Sequence, residues 1–159
     1  MLSHGEIGKA IESGEIAIEP FERELIKRNS CLLRLGRRFR RIEADEILDV
    51  GDQESLDQAA GEPFEASEVI VDSTSLVLAS SLERVALAPD LVGVLSGISN
   101  VARLGVIVHA TSAFVNAGFG WGAPTSVTFE LAVACQSQGT TPVASSMGPP
   151  RAHIDRLAT

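Results

Sequence analysis

The chain has no tyrosine, a single tryptophan and only two cysteines, and no long uninterrupted apolar run occurs anywhere in it. Each shortage excludes something. Without the roughly 18 to 20 consecutive apolar residues that a membrane span needs, the sequence offers no candidate spanning helix. Its N-terminal segment carries Glu6, Glu12 and Glu15, not the basic-then-apolar order of a leader. A soluble, cytoplasmic protein without a membrane partner is therefore expected. Cys31 and Cys135 stand far apart and match no paired metal-ligand spacing, so two reduced, partly buried thiols are expected and a disulfide framework is not. Basic residues are also short, 13 against 21 acidic, for a formal net charge of -8. Such a surface repels a phosphate backbone, so any bound anion must meet locally arranged donors. The run Arg37, Arg38, Phe39, Arg40, Arg41 reads, in so acidic a chain, as solvated surface or a subunit contact and not as a nucleic-acid site.

What the sequence does contain suffices for one domain over residues 1–159, long enough to bury a core without staples. Ser3 and Glu6 form a capping-box signature, and Ile7, Ala10 and Ile11 recur at helical spacing until Gly14. After this short helix, strand signals dominate. Ile16 and Ile18 alternate with polar or small neighbours up to Pro20, and 30–36 is apolar enough for a second strand. A polar stretch, 43–68, reads as an excursion across the surface. Further strands are expected at 69–71, 76–79, 85–87, 91–95, 106–109 and 127–133, each bounded by turn formers. Many short strands with one helix at the start argue for an all-β sandwich or barrel, not a parallel βαβ sheet. Gly118, Gly120 and Gly122 around Trp121 read as a mobile loop.

Two places carry chemistry. Between Ser96 and Gly105, Ser99 is positioned to cap a short helical turn ended by Gly105, which sets Ser99 and Arg103 one turn apart. A hydroxyl, a guanidinium and free N–H groups at the turn suit an oxyanion or phosphate, and a capped surface turn with a solvated arginine is the bland alternative. In 127–133, Val127, Phe129, Leu131 and Val133 fall on one face and Thr128, Glu130 and Ala132 on the other. If another subunit closes that second face, desolvation moves the Glu130 carboxyl toward a range where it both takes and gives a proton near neutral pH. If the face is open, Glu130 is an ordinary strand glutamate.

These residues resemble a known family. Gly97-Ile98-Ser99-Asn100-Val101-Ala102-Arg103-Leu104-Gly105 is similar to the G-R-S-S-L-A-R-L-G motif of dCTP deaminases, and Val108-His109-Ala110-Thr111 continues it. Asn116-Ala117-Gly118-Phe119 stands in the D-P-G-F position, and Thr128-Phe129-Glu130-Leu131 looks like the T-L-E-L strand. Glu19-Pro20-Phe21, Leu33-Arg34-Leu35-Gly36 and Leu82-Glu83-Arg84-Val85 echo the family upstream. The resemblance implies an all-β distorted jelly-roll (β-clip, dUTPase-like) with a short N-terminal helix, assembled as a homotrimer with active sites between subunits. It implies conversion of dCTP to dUTP and ammonia, with Glu130 moving protons while Ser99 and Arg103 hold base, water and phosphates. Asn100, Thr111, Ser112, Asn116 and Phe119 would contact dCTP or a related deoxynucleotide. Magnesium would enter only with the triphosphate, and no catalytic zinc is expected. The chain's own residues agree, because His4-Gly5-Glu6 fits H-x-E but no P-C-x-x-C completes a zinc deaminase site.

The departures are specific. Ile98 replaces the first motif arginine, Asn100 the second motif serine, and Leu32 an aspartate, which thins phosphate and metal contacts. The 143–157 run only faintly resembles the family's P-G-M-x-x-x-Q-L strand. The chain stops at Thr159 and lacks tyrosine, so the tail that folds over the triphosphate in relatives is expected to be missing. Asn116 accepts and donates hydrogen bonds but is no base, which counts against dUTP diphosphatase activity. A nucleotide-binding regulatory homologue with weakened catalysis is the other alternative. His109 fits a motif histidine, though a lone strand histidine more commonly serves as a hydrogen-bonded core residue.

Overall fold

Ser3 opens the first helix, α1 (His4–Glu12), as its spacing from Glu6 implies. Its N–H and its hydroxyl both donate to the Glu6 carboxylate, at 2.8 and 2.7 Å. Those bonds, the backbone one first, hold the Glu6 carboxyl below its ordinary range. Ile7 and Ala10 turn inward and are buried. The computed structural model describes residues 1–42, 51–52, 54, 59–71, 73, 76–108, 112–122, 127–135, 141–144 and 151–156, with the backbone alone at 127, 129–131, 135, 141–144 and 151–156.

The strands are β1 (Ile16–Glu19), β2 (Cys31–Leu32), β3 (Leu35–Ile42), β4 (Phe64–Glu65), β5 (Glu68–Val71) and β6 (Leu76–Leu87). Then come β7 (Leu91–Ser96), the helical turn α2 (Ser99–Ala102), β8 (Val106–Val108), β9 (Phe114–Val115), β10 (Val127–Cys135), β11 (Thr141–Ala144) and β12 (Arg151–Arg156). They form a six-stranded sheet in the order β4-β3-β6-β10-β8 with β1 also on β6, a four-stranded sheet β2-β12-β7-β9, and the pair β11-β5. Among the described residues every pairing is antiparallel, giving the all-β, jelly-roll-like architecture expected, with a helix near the N-terminus. Phe39, Val71, Val77, Leu87, Leu91 and Ile7 are among the fully buried side chains of the core between these layers.

Several expectations change. The two strands expected at 76–79 and 85–87 are one, β6, because the polar stretch between them continues the ladder. One edge of β6 pairs first with β3, over residues 76–81, and then with β1, over 84–87, while β10 lines the other edge. The strand expected at 30–36 is interrupted: β2 ends at Leu32 and β3 resumes at Leu35, running on through the arginine run to Ile42. Gly36 permits this close approach, since a Cβ there would lie 2.9 Å from the Ser80 carbonyl oxygen. Of the polar stretch 43–68, residues 43–50, 53 and 55–58 lie outside the described residues, and its end supplies β4 and the start of β5. β8 ends at Val108, and His109 lies outside the described residues. The weak C-terminal signal yields β12, which sits between β2 and β7.

Of the two charged residues inside β6, Glu83 and Arg84, the first faces the core. Glu83 is 0% exposed, and Arg34 answers it twice. The Arg34 Nε and backbone N–H donate to the two carboxylate oxygens, both at 2.6 Å. Arg34 Nη1 reaches outward to Glu22 at 2.6 Å, and the Ser81 hydroxyl donates to the Glu83 carbonyl at 2.7 Å. Bonding to Glu83, then to Glu22, raises the Arg34 pKa above its ordinary value. A buried charge survives only with such partners.

Candidate active site

α2 bridges the sheets: β7, before it, belongs to the four-stranded sheet, and β8, after it, edges the six-stranded one. Its cap differs from the expectation. Ile98, extended at φ -79°, ψ 143°, is the cap residue, and its carbonyl accepts from the N–H groups of Val101 and Ala102 at 3.1 and 3.0 Å. Ser99 is thus the first helical residue and not the cap, and among the described residues its hydroxyl has no hydrogen-bond partner. Its carbonyl accepts from the Arg103 N–H at 3.0 Å, so Ser99 and Arg103 do lie one turn apart. Gly105, at φ +80°, ends the turn as expected. Ser99, Asn100 and Arg103 are all exposed, and among the described residues Arg103 forms no ion pair.

Ser112 and Asn116 flank β9 and are exposed. The Ser112 hydroxyl accepts from the Phe114 N–H at 3.2 Å. Asn116 starts a turn in which its carbonyl accepts from the Phe119 N–H at 3.1 Å, while the Phe119 carbonyl accepts from Leu87 at 2.8 Å. Phe119 is half-buried against the core. The Gly118–Gly120–Gly122 segment is made of turns with positive φ at each glycine. Gly120 packs so closely that a Cβ would lie 2.8 Å from the Val85 carbonyl oxygen. Thr111 lies outside the described residues.

Glu130 sits in β10 directly across from Ser80 of β6, with a register shift between Thr128 and Glu130. Leu131 pairs with Ala79, which is buried, so the ladder sets Glu130 and Ser80 on the other face. That separation from the apolar stripe is what the alternation implied. At Ala132 and Val133, however, both faces are covered, the two residues being 1% and 2% exposed. Gly97, just ahead of α2, lies against Val108, whose β10 partner is Val133. Glu130 is three residues further along, about 10 Å by strand rise.

The chain therefore brings Ser99 to Arg103 in an exposed turn ahead of β8, and Asn116 to Phe119 in a second turn held to the end of β6 at Leu87. Sequence reading missed the role of Glu83 and Arg34. Its signal was a glutamate at an inward position of an alternating strand.

The comparisons with known proteins bear on these clusters. A family model described as dCTP deaminase-like matches residues 1–139. A dCTP deaminase, dUMP-forming, from Corynebacterium glutamicum is 33% identical over 121 residues, 75% of this chain and 64% of its own length. One of the same description from Methanosphaerula palustris is 37% identical over 120 residues, again 75% and 64%. The match thus spans just under two thirds of these relatives. The crystal structure of 2'-deoxycytidine 5'-triphosphate deaminase from Agrobacterium tumefaciens superposes with a TM-score of 0.71 at 15% identity, covering 96% of this chain and 47% of that one. At that identity the likeness speaks for the fold alone.

Proposed function

The chain belongs to the dCTP deaminase-like family, and from that premise we propose that it is a hydrolase that removes the 4-amino group of the cytosine base of dCTP, working as a homotrimer. Water adds to C4 of the ring as Glu130 takes one of its protons and delivers it to N3, where it stays; Glu130 then carries the remaining hydroxyl proton of the adduct to the amine, which leaves as ammonia as the C4 carbonyl forms. Ser99 and Arg103 hold the base, the water and the phosphates, while Asn100, Thr111, Ser112, Asn116 and Phe119 line the nucleotide. Magnesium arrives with the triphosphate as part of the substrate, and no zinc takes part.

One observation carries the reading: Ser99 and Arg103, the motif hydroxyl and guanidinium, stand one turn apart with both side chains open to solvent in the single chain. Groups that polarise a base or a phosphate work best out of water, where their field is not screened. A neighbouring copy, bringing its own Glu130, supplies that enclosure. The trimer is therefore part of the site, and a monomer is expected to be inactive.

The relatives' names end the reaction at dUMP. The amide of Asn116 argues for stopping at dUTP, because it cannot take the proton from a water attacking the phosphate chain. Incubation of the protein with dCTP and magnesium, following loss of cytosine absorbance and release of ammonia, tests the activity. Chromatography then separates dUTP from dUMP plus pyrophosphate. Unchanged dCTP at stoichiometric protein overturns the enzyme reading. Calorimetric binding of dCTP without turnover would favour a regulatory nucleotide-binding homologue, for which Ile98 in the motif arginine's place is the supporting feature.

A further inference from the structure

Phe39 is 1% exposed and points to the core, so its neighbours Arg38 and Arg40 take the opposite face of β3. There they line a depression of about 310 Å³ together with Pro63, Leu78, Ser80 and Thr128. Two guanidiniums two residues apart on one face of a strand repel each other, and among the described residues neither is in an ion pair. Arg41, on the other face, is occupied differently: it donates to the Ile70 carbonyl at 3.3 Å and lies 5.9 Å from the centre of the Phe64 ring. Glu65 of β4 stands across the ladder from Arg38 and is exposed, and a single carboxylate there balances at most one of the two charges. Two guanidiniums and no carboxylate line the pocket itself, with Glu65 and Glu130 one ladder position outside the lining, in a chain whose net charge is -8.

Ser80 ties this pocket to Glu130. Its hydroxyl donates to the Arg38 carbonyl at 3.4 Å on one side, and on the other its backbone is the ladder partner of Glu130. Two strand spacings, about 10 Å, separate β10 from β3, a distance that a nucleoside bridges between its base and its phosphates. We infer that Arg38 and Arg40, with the hydroxyl of Thr128, form a phosphate-binding subsite on the Glu130 face of the large sheet. Two forked guanidiniums and the Thr128 hydroxyl match the oxygens of a phosphate group, while the Ser80 hydroxyl, already donating to the Arg38 carbonyl, braces β3 against β6. The inference builds on the proposed nucleotide chemistry and supplies cationic contacts where Ile98 offers none. The phosphate is either the substrate's own or that of a second phosphorylated ligand.

The probe is inorganic tripolyphosphate, titrated calorimetrically into the full chain at moderate salt. Arg38→Gln/Arg40→Gln is expected to weaken its binding about 10- to 100-fold, and Arg38→Lys/Arg40→Lys to restore part of the loss. Glu130→Gln is expected to bind it at least as tightly as the natural chain, since a carboxylate across the ladder from Ser80 is removed, so this result stands even if no deamination is detected. Where dCTP turns over, a KM raised about 10-fold in the glutamine pair, with a much smaller change in kcat, identifies the substrate's own phosphates. An unchanged KM with tripolyphosphate binding lost identifies a second ligand. Failure of the natural chain to bind tripolyphosphate at millimolar concentration overturns the inference. So does unaltered affinity in the glutamine pair, including the case in which only its oligomeric mass changes, which would make the stripe a subunit contact.

Discussion

Replacing Arg34 by methionine tests the reasoning about β6 most directly. Methionine keeps much of the side-chain bulk but removes the guanidinium that answers Glu83, which is 0% exposed. Breaking a buried ion pair from one side costs about 3 to 5 kcal/mol, because the other charge is left without a partner. Here the backbone N–H of residue 34 still donates to Glu83 Oε2, at 2.6 Å in the natural chain, so the low end, about 3 kcal/mol, is expected. For a chain of this length that corresponds to a fall of about 6 to 12 °C in Tm. Thermal and urea unfolding should be measured at one fixed protein concentration, since an oligomer's stability depends on it. Two controls locate the effect. Glu22→Gln touches the half-exposed arm of the network and should cost under about 1 kcal/mol. Arg34→Met combined with Glu83→Gln should recover part of the loss, since no uncompensated charge is then left buried. A single Arg34→Met that loses less than about 1 kcal/mol would refute the claim that this pair lets a glutamate sit inside the strand.

Three further outcomes are expected. Glu130→Gln should lower the deamination rate by about 10²- to 10⁴-fold while leaving dCTP binding nearly intact, as read by steady-state kinetics and calorimetry. Burial, reinforced by the Glu83 charge and opposed by Lys27, pushes the Cys31 thiol from 9.0 up to about 11. In a Cys135→Ser background it should resist a disulfide-exchange reagent at pH 8 until denaturant is added. Because the folded value is the higher one, the stability tied to Cys31 is complete below pH 9.0 and is lost as pH rises toward about 11, which urea titrations across that window would detect. Gly120→Ala adds a Cβ 2.8 Å from the Val85 carbonyl at φ +65°, whereas Gly14→Ala, at φ +79°, meets nothing within 4 Å. The second should cost about 1 kcal/mol and the first clearly more, compared by denaturation midpoints.

Much of the candidate site was legible because it lies in short segments. The motif around Ser99 and Arg103 spans a single turn, and the spacing alone sets the two residues together. Ser99 was nevertheless misread as the cap, since the helix begins one residue earlier than its hydroxyl suggested, with Ile98 supplying only a carbonyl. The arginine run was legible as charge but not as a strand, and still less as one wall of a pocket. That depends on Phe39 anchoring β3 against Ala79 of β6, a pairing 40 positions distant in number that no local pattern encodes.

By itself the sequence determined the features that neighbours a few residues apart decide: the helix started by Ser3 and Glu6, the alternation of β1 and β7, and the stop at Gly105. These follow from backbone preferences and hydrogen bonds within one or two turns. Only the tertiary structure decided that residues 76–87 make one strand, that Glu83 is buried inside it, and that Arg38 and Arg40 share a face with the Ser80–Glu130 pair. The physical reason is that a charge in a strand is tolerable or ruinous according to its partner, and Arg34 lies 49 residues from Glu83 in the chain but 2.6 Å from it in the fold.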